Sequence, residues 1–449
     1  MNYFVITIVS ILLFAVANKN YAKGMAFATF FLVSLPHCIR IELPGVLPEM
    51  TIHRIVILIL FSIAIQKNIL RKIQLNTPFF RLIILIFFSN LLSGIFSIDP
   101  GLSIKDLLAT FFENFLLFII IINTIHNKSD IINILISASL GLGAVALLTF
   151  FEYYEGVNYV TLLFPAHAAI DRTGAVIGSF QHQIHLGYIM AMIFPVSFLL
   201  ILNSKKQSEK FLFFLLTTLQ ICSCYFSFSR GPWGLAILTG FILLFLSDKQ
   251  TKKRLLALGL ILSFALVFNP GVRTTIVEYL NTVLPHEGKE DASAEYRIIL
   301  WKVAFAKTNE SSERFLLGYG GQSTSLMDIS SYFEKERGGQ VMSQGFSSWD
   351  SAWASHLVQY GWVGLSLELI LHLSIYKTLL EAIKKSRETK EGPLVVGVLT
   401  GCLVFSLGML TVSMFSPQLK YLFWALVSSG IILGSNDKIR LRPILSKFN

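Results

Sequence analysis

The sequence predicts an all-α, polytopic membrane protein with about 12–13 transmembrane helices and one long extracytoplasmic loop subdomain. Three observations carry this. The chain of 449 residues is 54% hydrophobic and only 14% charged, with 38 phenylalanines, a balance foreign to soluble globular chains. Apolar runs of about 20 residues, the length a helix needs to cross the hydrocarbon core, recur along it. Lysine and arginine collect in alternate loops, as they do in membrane proteins of fixed orientation. The runs must be helices because backbone groups in lipid need internal partners.

The runs fall at 2–17, 24–38, 52–66, 82–98, 107–123, 131–151, 184–202, 211–228, 232–247, 255–269, 352–376, 394–413 and 421–435. The first ends in Ala15-Val-Ala17, which resembles a leader cleavage site. It has no basic segment before it, and cleavage would leave Lys19 and Lys23 outside, so it reads as a retained helix. Basic residues cluster in 66–81 (Lys67, Arg71, Lys72, Arg81), 203–210 (Lys205, Lys206, Lys210), 248–254 (Lys249, Lys252, Lys253, Arg254), 377–393 and the tail after 436. One orientation puts all of them in the cytoplasm, with the N-terminus outside and the C-terminus inside. It also places 152–183, 227–231 and the long loop on the outer face. That loop, 269–350, holds eleven acids against eight bases, so the net charge of +10 belongs to the inner face and reflects topology; nucleic acid is not an expected partner. The expected organisation is a helix block at 1–269, an extracytoplasmic subdomain at 270–350, a helix block at 351–436 and a cytoplasmic tail at 437–449.

Cys38, Cys222, Cys224 and Cys402 fall in or beside apolar runs and read as small core residues. Their spacing suits neither a disulfide framework nor a zinc site. No Walker A, GxGxxG, HExxH, GxSxG or Asp-x-Asp pattern occurs, which argues against ATP-driven transport and nucleotide-sugar transfer.

Within the long loop, 293–307 reads as an amphipathic helix with Ile298, Trp301 and Phe305 on one face, lying on the membrane surface or on the spans. Residues 308–314 and 318–321 read as turns. Arg273, Arg297, Arg314 and Arg337 give this loop fixed positive charge. Arg230 stands in Ser227-Phe-Ser-Arg-Gly-Pro232, where Gly231 permits a sharp turn and Pro232 suits a first helical position. An arginine beside free helix N-terminal N–H groups makes an anion site; the alternative is a side chain reaching lipid headgroups. Arg297 either clamps a second phosphate or lies solvated on the loop helix. Asp350 either accepts a proton from a sugar hydroxyl or caps the next helix, and the two are compatible. His167, His182 and His185 lack an acidic or thiol companion for a metal and read as polar contacts to sugar or to neighbouring spans. Glu113, in the middle of an apolar run, reads as a contact to a neighbouring helix. Arg81 reads as a topology anchor.

In four ordered pieces the chain resembles the O-antigen ligase and O-antigen polymerase family of integral-membrane glycosyltransferases. The pieces are Arg172-Thr-Gly-Ala-Val-Ile-Gly178 with 181–195, Phe228-Ser-Arg-Gly-Pro-Trp-Gly234, Glu295-Tyr-Arg297 with Trp301 and Leu316-Leu-Gly-Tyr-Gly320, and Asp350 to Leu365 with Gln359-Tyr-Gly-Trp-Val-Gly-Leu365. The resemblance implies an undecaprenyl diphosphate-linked glycan as donor and transfer to an acceptor hydroxyl on the periplasmic face of the bacterial inner membrane. It implies inverting, metal-independent chemistry with no cofactor. The expected catalytic residues are Asp350, Arg230 and Arg297, and the expected substrate contacts are Arg172, His182, His185, Arg273, Gly318 and Gly320. Ligases typically carry His-Asn where this chain has Asp350-Ser351, which favours a polymerase whose acceptor is another lipid-linked glycan over a ligase acting on lipid A-core. Membrane lipids are expected neighbours, and a polysaccharide chain-length regulator is a candidate partner. A lipid-linked glycan transporter is the competing class, and a non-catalytic assembly protein ranks third. A transporter predicts internal repeats and polar groups at the bilayer midplane; no repeat is visible in the sequence.

Overall fold

The computed structural model describes residues 1–42, 49–70, 79–167, 175–247, 249–268, 274, 292–329, 332, 349–413 and 416–435. Among them a helix stands at each of the thirteen apolar runs. In order these are α1 (Asn2–Lys19), α2 (Tyr21–Ser34), α3 (Ile52–Gln66), α4 (Phe80–Ile95), α5 (Pro100–Thr124) and α6 (Lys128–Glu155). After the short α7 (Tyr159–Leu163) come α8 (Gln183–Asn203), α9 (Gln207–Phe226), α10 (Arg230–Leu246) and α11 (Lys249–Phe268). The long loop contributes α12 (Ala292–Thr308) and α13 (Ser312–Leu317), and the chain closes with α14 (Ala352–Ser386), α15 (Gly392–Gly408) and α16 (Pro417–Leu433). Five of them, α1, α5, α6, α8 and α14, are long and apolar enough to cross a membrane by length and composition. Among the described residues the only strands are Arg40–Ile41 and Met50–Thr51, paired antiparallel with Arg40 opposite Thr51. The fold is all-α and polytopic, as the composition predicts.

The core lies along α8, α15 and α16, whose side chains are buried almost throughout. The outer helices are apolar on their exposed faces as well: Phe88, Phe211 and Phe245 are exposed by 60%, 66% and 79%. A polar solvent does not tolerate such a surface, whereas lipid does.

Two features break the regular helices, and both position polar groups. The first is a π-helical turn, Phe111–Leu116, inside α5. It carries Glu113, which is buried and takes Nη2 of Arg54 at 2.6 Å and Nζ of Lys420 at 3.0 Å. The sequence reading of Glu113 as a helix–helix contact therefore gains its partners, one from the start of α3 and one from the start of α16. Two buried charges and the partly exposed Lys420 hold one another, and losing the carboxylate strands both cations.

The second break is in α14. The apolar run at 352–376 predicts one continuous span, but Gly361 interrupts it with φ 63° and ψ −169°, a conformation open in practice to glycine alone. The chain is two helices, 352–360 and 362–386. Gly318 adopts nearly the same conformation, φ 71° and ψ −155°, directly opposite. A Cβ on Gly361 would lie 2.4 Å from the Leu316 carbonyl oxygen, and one on Gly318 would lie 2.5 Å from the Gln359 carbonyl oxygen. The carbonyls freed at the break are satisfied chiefly from the loop: Tyr319 N donates to Val358 O at 2.9 Å and Gly320 N to Gln359 O at 2.8 Å, and Ser93 Oγ of α4 adds a second bond to Gln359 O at 2.8 Å. In an apolar setting such carbonyls have no other source of donors.

The loop departs from its sequence reading in one place. Residues 308–314 predict a turn, but Ser311 caps α13, which begins at Ser312. Of the face formed by Ile298, Trp301 and Phe305, Ile298 is turned outward and 60% exposed, Trp301 is partly buried and Phe305 stacks on Trp362 of α14. The buried face is Tyr296, Ile299, Leu300 and Val303. Both faces are apolar, so periodicity alone could not choose between them.

Two stability measurements follow. Glu113→Gln leaves two cations without their carboxylate and is expected to cost about 3–5 kcal/mol in detergent unfolding; an unchanged transition would contradict the triad. Gly361→Ala is expected to cost at least ~1–2 kcal/mol from its backbone conformation alone, and more from the clash with Leu316; a variant as stable as the parent would show that the interlock does not exist.

Candidate active site at the loop end of the bundle

The elements that charge patterning assigns to one side of the membrane meet at one end of the bundle. Their common surface is the connection after α15, residues 409–413. Arg297, on α12, donates from Nε to Thr411 O at 2.9 Å. His185, in the first turn of α8, is buried and pairs through Nε2 with Ser413 O at 2.9 Å. Tyr188, one turn further on, shares a hydrogen bond between its hydroxyl and Thr411 Oγ1. The start of α14 docks on the same segment, with Ala352 N donating to Val412 O at 3.2 Å and Trp353 N to Met409 O at 3.3 Å.

Arg230 is the first residue of α10, so the helix starts two residues before the position expected for Pro232. The sharp turn falls on Phe228, at φ 45°, instead of on Gly231. Gly231 is needed for a different reason: a Cβ there would lie 2.4 Å from the Tyr188 hydroxyl and 3.7 Å from Thr411 Oγ1. Arg230, half-buried, is thus held beside the Tyr188–Thr411 pair.

Asp350 does not cap the helix that follows. Ser351 does, accepting from Ala354 N at 3.4 Å. His182 is the N-cap of α8, its Nδ1 accepting from Ile184 N at 3.1 Å. Gly318 and Gly320 serve the interlock with α14, and a Cβ on Gly320 would run into Ser97 at 2.1 Å. Arg172, Arg273 and Arg337 lie outside the described residues.

The Gly-rich turn is tied to its surroundings by side chains. Asp106 on α5 accepts from Gln322 Nε2 at 2.7 Å and from the Tyr360 hydroxyl at 2.9 Å. The Tyr319 hydroxyl donates to Glu310 and to Lys307 O, and burial, followed by the Glu310 carboxylate, pushes it up to about 12. It therefore stays protonated and keeps the turn attached to α12. Arg314 lies 4.6 Å over the Tyr319 ring and donates to Phe96 O and Gly318 O.

Beside this cluster a cleft of about 470 Å³ opens between the starts of α3, α5 and α16 and the end of the long loop. Arg54, Glu113 and Lys420 form its floor, Lys105 and Asp106 one wall, and Trp349, the residue before Asp350, another. Desolvation lowers His37, at its rim, below the ordinary imidazole value, so it is uncharged at neutral pH.

Sequence reasoning brought Arg230, Arg297, His185 and Asp350 to one region, but it missed Tyr188, Thr411 and the cleft. Two signals were available: the polar Thr411-Val-Ser413 at the end of the apolar run 394–413, and Arg54 and Lys420 at the ends of apolar runs on the same side as Glu113.

Gly231→Ala should lower stability, and the loss should shrink in a Tyr188→Phe background because the hydroxyl it strikes is gone. Tyr188→Phe alone removes one hydrogen bond, worth about 1 kcal/mol. Strictly additive losses in this double-mutant cycle would show that the two residues are not in contact.

Residues 211–369 match the model of the family described as O-antigen ligase. The match runs from α9 into the second half of α14 and contains Arg230, Arg297, Gly318, Asp350 and Gly361. No curated protein matches the chain.

Proposed function

We propose that this chain, which carries a domain of the O-antigen ligase and polymerase family of membrane glycosyltransferases, extends a surface polysaccharide by transferring a glycan from undecaprenyl diphosphate to another lipid-linked glycan. The reaction takes place at the periplasmic face of the bacterial inner membrane, with the long loop outside and the C-terminus in the cytoplasm. The observation that carries this reading is the convergence of Arg297, His185, the start of α10 with Arg230, and the start of α14 with Asp350 on residues 409–413.

The chemistry follows from what each group can do. The acceptor hydroxyl gives its proton to the Asp350 carboxylate as its oxygen attacks the anomeric carbon. The bond from that carbon to the phosphate oxygen breaks, and its electron pair leaves on the lipid diphosphate. Arg230 and Arg297 stabilise the charge that develops there, as planar bidentate donors suited to phosphate. A single displacement inverts the anomeric centre. No metal is required, because the two guanidiniums supply the positive charge. His185, held by Ser413 O, fixes the start of α8 against residues 409–413. Asp350-Ser351, in place of the His-Asn of ligases, supports a polymerase and an acceptor other than lipid A-core.

Purified protein given a lipid-diphosphate glycan should release lipid diphosphate and lengthen the glycan. Arg230→Ala should lower kcat by on the order of 100- to 1,000-fold, the usual effect of removing one transition-state donor. Full activity in Arg230→Ala would refute the charge role; movement of labelled glycan lipid across liposomes with no chain extension would favour a transporter.

A further inference from the structure

We infer that the cleft floored by Arg54, Glu113 and Lys420 is the subsite that holds the sugar rings of the acceptor glycan, an inference that rests on the glycosyl-transfer reading above. The lining charges balance. Arg54, Lys105 and Lys420 face Glu49, Asp106 and Glu113, three cations against three carboxylates. A diphosphate or an anionic headgroup would meet as much repulsion as attraction. A hydroxyl-rich neutral sugar finds donors and acceptors in alternation, which is what each of its O–H groups requires.

The lining is also fixed before any ligand arrives. Glu113 is held at 2.6 Å and 3.0 Å by its two cations, and Asp106 at 2.7 Å and 2.9 Å by Gln322 and Tyr360. Two buried donors nonetheless lack a hydrogen-bond partner among the described residues: Trp349 Nε1, on a side chain 3% exposed, and Arg54 Nε, on one 7% exposed. A buried N–H without an acceptor is costly, and a small shift of the Trp349 ring, which no hydrogen bond holds, would present its N–H to a ring or hydroxyl oxygen of the sugar. The volume of about 470 Å³ is that of an ordinary ligand site.

Position selects the acceptor. Trp349 lines the cleft and the next residue is Asp350, the proposed base. The arginines proposed for the donor diphosphate belong to the neighbouring cluster around Thr411. A sugar resting against Trp349 is therefore adjacent to the carboxylate that takes its proton, on the side away from the leaving group's charge partners.

The test uses the whole protein in nanodiscs and the repeat-unit oligosaccharide released by mild acid from the host's own lipid-linked glycan. Binding is read by titration calorimetry for wild type, Ala109→Phe, which fills the cleft, and Trp349→Phe, which keeps the ring bulk and deletes the N–H. Wild type should bind, Trp349→Phe should bind roughly 3- to 10-fold more weakly, and Ala109→Phe should lose binding, with affinity for the lipid diphosphate carrying no glycan unchanged in both. No binding by wild type, unchanged binding by both variants, or weakened lipid-diphosphate affinity with unchanged oligosaccharide affinity would overturn the assignment. If wild type binds the oligosaccharide through the cleft but never releases lipid diphosphate, the cleft stands as a glycan site and the transferase reading falls.

Discussion

The structure depends on the contact between Gly318 and Gly361. A helix that breaks inside an apolar bundle exposes carbonyls that lipid cannot satisfy. Here a loop turn supplies the missing donors, and the approach is so close that neither glycine can carry a Cβ. The break frees residues 352–360 from the direction of the longer helix, and their N-terminal end meets residues 409–412. It also brings Tyr360 to Asp106, and Gln359 to Thr324 and Ser355. The long loop is in this way a structural part of the helix it precedes. Asp350 owes its position to that arrangement.

A second constraint shapes the same end of the molecule. Charges are expensive in an apolar bundle and survive only when paired. The Arg54–Glu113–Lys420 triad satisfies this with three helices at once, and a π turn in α5 carries the carboxylate. In the proposed reading the triad and the Thr411 cluster divide the work: the first would present balanced charge to a hydroxyl-rich ligand, the second arginines to an anion. Trp349 and Asp350, adjacent in the chain, link the two.

Much of this was legible in the sequence. Every apolar run became a helix, because length and hydropathy are decisive where the solvent is lipid. The alternation of basic loops assigned to one side segments that meet around residues 409–413, and the glycine turn and the Gln359-Tyr-Gly361 motif were visible as separate pieces. Their interlock was not, because hydrophobicity at 352–376 is continuous across Gly361 and gives no sign of a left-handed residue. Which face of α12 packs was left open by the sequence because Ile298 and Phe305 are as apolar as Ile299 and Val303. Asp350 looked like a cap because Asp favours that position, yet Ser351 is equally suited and lies one residue nearer the helix. Glu113 announced a partner, but spacing along a chain does not reveal that Arg54 and Lys420, 59 positions before it and 307 after it, share its depth.

Hydrogen exchange at the amides of Tyr319 and Gly320, measured by mass spectrometry on the full chain in nanodiscs, tests the interlock most directly. Both amides are bonded to carbonyls of the broken helix, so they should exchange as slowly as the interior of α8, although they lie in a loop. Exchange at the rate of an unstructured peptide would contradict the interlock and, with it, the docking of the start of α14 on residues 409–412.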